Sequence, residues 1–324
     1  MARNTRSGRQ KSFKHYLEFP PEVRSMVINE MEPADRCRFT RCSSLCLNEA
    51  QRSKNYIYGL KFDNSSEQSL RITVYHARFD RHEYQVEFRA DSGRKCMEYS
   101  IPSGNSSRML WSLDLDRSDD LVQLARNYFE KLLEFYQNSI QSLHITGESN
   151  YNFQVRSLNN LKDLDLSTNV GNIMEVISKR NVPLEELSYI GEMNDQLLGD
   201  FEYIYRVQDH LYMPELKLNI DQVRRLSADV VMIHIGTLTP NDVFNLITSW
   251  KNGELRENFN DFLWELNNSN FDAQQLWQLL QVVPDDPERN VFRIEHNVEA
   301  GKYAMLHHTN DLERLAFRVS SQRN

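Results

Sequence analysis

Glycine is scarce in this chain, and the glycine motifs that cradle phosphates are missing. Eleven glycines stand among 324 residues, which disfavours folds built on glycine-rich loops. The sequence contains no G-x-S-x-G, H-E-x-x-H, G-x-x-x-x-G-K-[ST] or G-x-G-x-x-G pattern, each of which places a nucleophile, a metal or a nucleotide phosphate. We therefore predict that the protein is not an enzyme and uses no cofactor.

Cysteine and long apolar runs are also scarce, and the net charge is acidic. Three of the four cysteines, Cys37, Cys42 and Cys46, lie close together without the C-x-x-C pairs or histidine spacing of a zinc site. No apolar run approaches the roughly 18 residues of a membrane span, and no secretory apolar region is present. The net charge of −8 disfavours nonspecific binding to nucleic acid. These absences predict a cytoplasmic and/or nuclear protein with no metal and no membrane or nucleic-acid partner.

The N-terminal region begins with a basic stretch and continues as a helix. Residues 1–14 carry five basic side chains and little that is apolar, which predicts a disordered tail. Pro20, Pro21 and Glu22 suit the first turn of a helix. Apolar residues then recur at helical spacing, at Val23, Met26, Val27 and Met31. Such a stripe is buried only against a partner or against the rest of the chain.

The segment from Leu17 to Asn55 resembles an F-box, the short helical hairpin that docks a protein onto the Skp adaptor of a cullin-based ubiquitin ligase. The matching steps of the pattern are Phe19-Pro20, Glu22-Val23, Met26 to Met31, Asp35-Arg36 and Cys42-Ser43. Phe19 replaces the usual leucine, and the common tryptophan near the end is missing. The resemblance implies adaptor contacts by Phe19, Pro20, Pro21, Glu22, Val23, Val27, Met31 and Cys42. The alternative is an ordinary packed helical hairpin.

From Tyr56 onward the chain shows strand-like runs and then a degenerate repeat. Short runs separated by Asn, Ser and Gly turns cover residues 56–101. After a helix predicted at 119–138, the spacing apolar-x-x-apolar-x-apolar recurs, beginning at Ile140, Leu161, Leu184, Met213, Val230 and Phe259. The copy at Leu161 matches the leucine-rich pattern through Asn169. Helical segments separate the copies, so each unit is predicted as a strand, a turn and a helix that stack on their neighbours.

These patterns predict an α/β fold in which an N-terminal helical F-box is followed by an irregular leucine-rich-repeat-like strand/helix solenoid with a β-rich start and end. The predicted boundaries are a disordered basic tail at 1–14, the F-box at 15–55 and a receptor domain with leucine-rich-like repeats at 56–324. A general α/β domain with uneven spacing is the alternative.

Two C-terminal pieces resemble the F-box-associated regions of the expanded nematode F-box families. One is the helix at 238–253, which Thr239 or Asn241 can cap and which Gly253 can end in the left-handed conformation. The other is a run of three short strands near the C-terminal end. Trp250 continues the apolar stripe of the helix, so we predict that it is a structural residue.

The resemblance implies a substrate-recognition subunit of an SCF-type ubiquitin ligase. Such a subunit binds the Skp adaptor, and through it cullin, at the F-box, and binds an unknown protein substrate at the C-terminal domain. The alternative is a protein-binding module on a leucine-rich-like scaffold that acts outside ubiquitination.

A charged face is predicted for the aligned repeats. Side chains alternate along a strand, so the residues that flank each central leucine share one face. Five carboxylates and one lysine, Lys217, fall on it. The predicted substrate-binding residues are these carboxylates, Asp163, Asp165, Glu186, Glu215 and Asp261. A face of this charge favours a partner with a basic patch, or it only keeps the protein in solution.

Overall fold

The described residues of the computed structural model begin at residue 16. They are residues 16–31, 35, 39, 42, 43, 45, 46, 49, 57–66, 69–75, 84–91, 94–103, 106–118, 120–147, 153, 155–167, 171–190, 202–255, 259–266, 269–281, 291–309 and 314–321. The predicted basic tail at 1–14 lies outside them, as does most of the second predicted helix of the hairpin. Within these ranges no helix is both long and apolar enough to cross a membrane.

Six α-helices lie wholly within the described residues, besides two short 3-10 helices at Tyr16–Glu18 and Glu202–Arg206. They are α1 Pro21–Glu30, α2 Leu121–Tyr136, α3 Gly171–Ser178, α4 Ile220–Arg225, α5 Pro240–Lys251 and α6 Ala273–Leu280. Helix α1 begins with a proline, whose missing N–H has no partner to lose in the first turn. It ends at Met31, where the backbone becomes extended.

Side-chain caps fix where helices α2 and α5 begin. The Asp120 carboxylate accepts two backbone N–H bonds at the start of α2. At α5, the Thr239 hydroxyl accepts from the Asp242 N–H at 3.2 Å, and the Asp242 carboxylate accepts from the Thr239 N–H at 2.8 Å. Of the two predicted caps, Thr239 and not Asn241 is therefore the residue that caps α5. Gly253 follows α5 with a φ of +70°, which confirms its predicted left-handed conformation.

Fourteen strands of the described residues form a single sheet. They are β1 Gly59–Ser66, β2 Ser69–Tyr75, β3 Tyr84–Asp91, β4 Arg94–Ser103, β5 Ser106–Leu115, β6 Ser142–Gly147, β7 Asp163–Leu166, β8 Glu186–Tyr189, β9 His210–Lys217, β10 Val230–His234, β11 Asp261–Glu265, β12 Val291–Glu295, β13 Lys302–Thr309 and β14 Arg314–Ser321. Their spatial order is β12-β13-β14-β11-β10-β9-β8-β7-β6-β1-β2-β3-β4-β5. All neighbours from β1 through β6 to β11 are parallel. All neighbours from β1 to β5, and from β11 through β14 to β12, are antiparallel.

The predicted fold class is wrong. The sequence analysis expected a helical F-box followed by an irregular leucine-rich-repeat-like solenoid, whereas the described residues form one large mixed sheet with few helices. The physical reason is that antiparallel hydrogen bonding continues the parallel strands at both sides. The strands expected as a separate β-rich start and end are therefore part of the same sheet.

One face of the sheet is covered by helices and holds the core. Leu143, Leu164 and Leu187 occupy equivalent positions on neighbouring strands and are buried in one cluster with apolar residues of α2, α3 and α5. Burial of each such side chain contributes about 1.5–3 kcal/mol of transfer free energy. The alternate side chains of the same strands point to the other face, which we name the open face.

Helix α1 packs against the sheet domain. Ile28 of α1 is fully buried with Tyr16, and Phe135 of α2 packs on this pair. An ion pair at 3.0 Å joins Arg24 to Glu49 beside them. Burial, together with the neighbouring Glu49 carboxylate, raises the pKa of Tyr16. The N-terminal segment is therefore anchored through one side of α1.

Candidate functional site

Three large apolar side chains at the start of helix α1 are exposed. They are Phe19 at 46%, Val23 at 38% and Met26 at 65% of their maximal surface, and we name them the α1 patch. Val23 and Met26 are three residues apart, so they share one side of the helix, and Phe19 directly precedes the helix. Single exposed apolar residues are ordinary at a protein surface, whereas these three come from neighbouring turns of one short segment.

The predicted adaptor-binding residues fall into two groups in the structure. Those at the N-terminal end of the helix are exposed, namely Phe19, Pro20, Pro21, Glu22 and Val23. Val27 and Met31 are half-buried, and Cys42 is exposed beyond the helix. The residue that anchors α1 is Ile28, which the predicted stripe did not include. The buried side of the helix is therefore rotated relative to the predicted stripe. Met26, a member of that stripe, is instead the most exposed residue of the α1 patch.

Two rows of side chains cross the open face in register. The first row is Gly59, Ser142, Asp163, Glu186, His210, Val230, Asp261 and Arg318. The second row is Lys61, His144, Asp165, Ser188, Tyr212, Met232, Leu263 and Ala316. Neighbours in a row lie about 5 Å apart. Three predicted substrate-binding residues, Asp163, Asp165 and Glu186, are therefore brought together.

Glu215 and Asp261 do not join this group. Strand β9 pairs with β8 through Leu211, which takes the place that the repeat alignment gave to Leu216. Its pairing with β10 then jumps from Met213 to Lys217, and Glu215 lies in that bulge. Asp261 belongs to the first row, but strands β9 and β10 separate it from Glu186. The predicted alignment of β9 was thus wrong.

The carboxylates of the first row have partners. The Tyr58 hydroxyl donates to Asp163 at 3.0 Å, His210 lies 3.2 Å from Glu186, and Arg318 donates to Asp261 at 2.8 Å. Burial and the Asp163 carboxylate raise the pKa of Tyr58. Tyr58 reaches Asp163 across β6, and Arg318 arrives on the C-terminal strand β14. These three carboxylates of the open face are therefore held by neighbouring side chains.

A hydrogen-bonded chain runs through Ser142, His144 and Asp165. Ser142 Oγ lies 2.8 Å from His144 Nε2, and His144 Nδ1 lies 3.3 Å from Asp165 Oδ2. This is the connectivity of a Ser-His-Asp hydrolase triad, and no sequence motif marks it. The Tyr58–Asp163 hydrogen bond spans the strand that carries Ser142, which is only 3% exposed. We interpret the chain as a network that orders the open face.

The Asp165 carboxylate makes the stability of the protein depend on acid pH. The hydrogen bond from His144 lowers the pKa of Asp165 below its ordinary value, against the opposing effect of burial. A carboxyl group with a lowered folded-state pKa stabilises the fold above its unfolded-state pKa, and this contribution is lost as pH falls through the folded-state value. We expect Asp165→Asn to flatten the loss of stability below about pH 4, measured by urea denaturation at several pH values.

The control for this pH experiment is Ser112→Ala on β5, an exposed change without an ionisable group. Its profile should run parallel to that of the wild type. If the Asp165→Asn profile also runs parallel, the interaction between His144 and Asp165 does not stabilise the folded state.

No metal site emerges from the residues that the structure describes, since none of their His, Cys, Asp and Glu side chains form a group of three or more that could hold an ion. No protein-family model matches the chain, and no curated protein or solved structure matches it significantly. The grounds for a function are therefore the α1 patch and the open face themselves.

Proposed function

We propose that this protein is a substrate-recognition subunit of an SCF-type ubiquitin ligase, which binds a Skp-type adaptor through helix α1 and a protein substrate through the sheet domain. The observation that carries the proposal is the α1 patch, because it lies within the segment whose sequence resembles an F-box. In this role the protein performs no chemistry and needs no cofactor. The predicted cytoplasmic and/or nuclear location accompanies the role.

The distribution of exposed apolar residues supports an N-terminal docking surface. Among the described residues, eleven large apolar side chains are exposed, and four of them lie between residues 19 and 45. The fourth, besides the α1 patch, is Leu45. Burying such side chains against a partner is favourable by roughly 25 cal/mol per Å² of apolar surface. The opposite side of α1 is anchored by Ile28, so a partner can cover the patch without displacing the helix.

The open face remains the predicted substrate surface. Its acidic residues Asp163, Asp165 and Glu186 lie close together, so its charge pattern favours a partner with a basic patch. Long side chains held in ordered pairs lose little further freedom when a partner binds. This assignment is separate from adaptor binding, because the two surfaces lie on different elements.

Adaptor capture tests the proposal. We expect the double variant Val23→Glu/Met26→Glu to lower the affinity for a purified Skp-type adaptor by at least about tenfold, because two charges are then placed in an apolar interface. The measurement is titration of the adaptor against the full chain by calorimetry. Both residues are exposed, so the thermal unfolding of the variant should match that of the wild type.

Two control variants separate docking from a general effect of added charge. Met109→Glu introduces the same change at an exposed methionine on β5, and Glu186→Lys alters the open face. Both should keep wild-type affinity for the adaptor. Equal affinity of the α1 double variant and the wild type would contradict docking through the α1 patch. No binding of the adaptor by the wild type would reject the ligase role and leave a protein-binding module outside ubiquitination.

A further inference from the structure

A cavity of about 630 Å³ lies beside helix α3, on elements that neither the α1 patch nor the open face uses. Its walls come from the segment 155–159, from α3 and from the turn that follows α3. The volume falls within the roughly 300–1,000 Å³ of small-molecule pockets. Its lining combines apolar side chains, such as Val155 and Val176, with several cationic and amide groups.

Arg180 forms part of the cavity wall and is only 7% exposed. Its Nη2 donates to the carbonyl oxygens of Asn159 at 3.2 Å and Leu161 at 2.6 Å. Its Nε and Nη1 are buried and have no hydrogen-bond partner. A buried charge is normally paired, because removing it from water is costly. Here no described carboxylate forms an ion pair with this guanidinium, and burial lowers the pKa of Arg180.

The charges around the cavity add to that of Arg180. Arg156 and Lys179 also line it and are exposed. Glu175 is the acidic residue of the lining, and it pairs with Lys179 at 2.5 Å. The three cations and one anion give the lining a formal charge of +2, on a chain whose net charge is −8. Arg206 adds a further positive group beside the wall, where it donates to the carbonyl oxygen of Arg180 at 3.1 Å.

We infer that this cavity binds a small phosphate monoester, with the exposed Arg156 and Lys179 at the phosphoryl group and the buried charge of Arg180 behind them in the wall. A dianionic phosphoryl group matches the charge of the lining, and guanidinium groups pair with phosphate oxygens in a fixed geometry. The buried Arg180 charge acts on the cavity with little screening by salt. Inorganic phosphate fills only part of the volume, so the apolar side chains contact the organic part of the ester.

Calorimetric titration of the full chain tests the site, with phenyl phosphate, inorganic phosphate and phenol as probes. We expect phenyl phosphate to bind more tightly than inorganic phosphate, and phenol not to bind. The surface variant Arg156→Ala/Lys179→Ala should weaken binding of phenyl phosphate about 10- to 100-fold, because two charged contacts are lost. It changes only exposed side chains, so its fold is preserved. Arg180→Met should also weaken binding, because the buried positive charge behind the site is removed, and Arg94→Met, an exposed arginine on β4, should leave it unchanged.

The possible outcomes separate the sources of the phosphoryl group. Equal affinity for inorganic phosphate and the ester would show a site for the free anion and overturn the assignment to an ester. No binding of either phosphate probe, or binding that survives both the surface variant and Arg180→Met, would overturn the site itself. None of these results depends on capture of the Skp-type adaptor, so this inference and the proposed function fail separately.

Discussion

Trp250→Ala is expected to lower the free energy of unfolding by about 3–5 kcal/mol. Trp250 is buried in helix α5, and its ring lies edge-on to Phe317 of β14 and to His296, with centroids 5.1 Å and 4.9 Å away. Removing the indole leaves a cavity between the helix and the C-terminal strands, and the edge-to-face contacts are lost as well. Chemical denaturation of the purified protein measures the effect.

Two further variants make the Trp250 result specific. Trp250→Phe keeps part of the ring volume and should cost less than the alanine change. Asn245→Ala alters an exposed position of the same helix and should leave stability nearly unchanged. A Trp250→Ala protein that is as stable as the wild type but fails to bind a partner would show that Trp250 is a contact residue and not a structural one.

Arg314→Met should destabilise the fold by about 3–5 kcal/mol, because it leaves a buried carboxylate without its counter-charge. Arg314 Nε donates to Glu265 Oε1 at 2.6 Å across the β11–β14 pair, and the Glu265 side chain is only 6% exposed. The second oxygen of Glu265 is buried and has no hydrogen-bond partner. In the variant, the buried charge of Glu265 is therefore compensated by little solvent and by no other hydrogen bond to its second oxygen. Urea denaturation at neutral pH measures the loss.

A second change identifies the cause of that loss. Glu265→Leu combined with Arg314→Met removes both charges, and this double variant should recover most of the stability, since apolar residues can replace a buried ion pair at little cost. The exposed pair of Arg94 and Asp114 supplies a contrast, because Arg94→Met should change stability little. If Arg314→Met behaves like Arg94→Met, the buried pair does not stabilise the sheet.

The sequence predicted individual parallel strands better than it predicted the sheet. The central leucines of β6, β7 and β8 were placed correctly, because alternation of buried residues is a local property of a strand. Strand β9 failed because Leu211, Met213, Leu216 and Leu218 are all buried. Two overlapping alignments therefore satisfy the same apolar pattern, and only the pairing of β9 with β8 and β10 distinguishes them.

The fold class and the ion-pair partners of the β11 carboxylates depended on contacts that local patterns do not encode. Nothing in the sequence of β14 shows that it pairs with β11, and this pairing delivers Arg314 and Arg318 to Glu265 and Asp261. Alternation does show that both arginines share one face of β14, but not which strand lies beside them. The same limit applies to α1, where the exposed and buried sides depend on contact between Ile28 and the sheet domain.

The order of strands also governs how the chain can assemble. From β6 to β11 each strand bonds to the next strand along the chain, whereas β1 bonds to β6 across the whole β2–β5 meander and helix α2. The entropic cost of closing a loop grows only with the logarithm of its length. Local contacts that compact the meander therefore lower the entropic cost of pairing β1 with β6. Gly59 stands at this junction, and a Cβ there would approach the Ser142 carbonyl oxygen to 2.9 Å. The absence of a side chain at that one residue lets β1 lie close to β6, so that the meander and the parallel strands join into a continuous sheet.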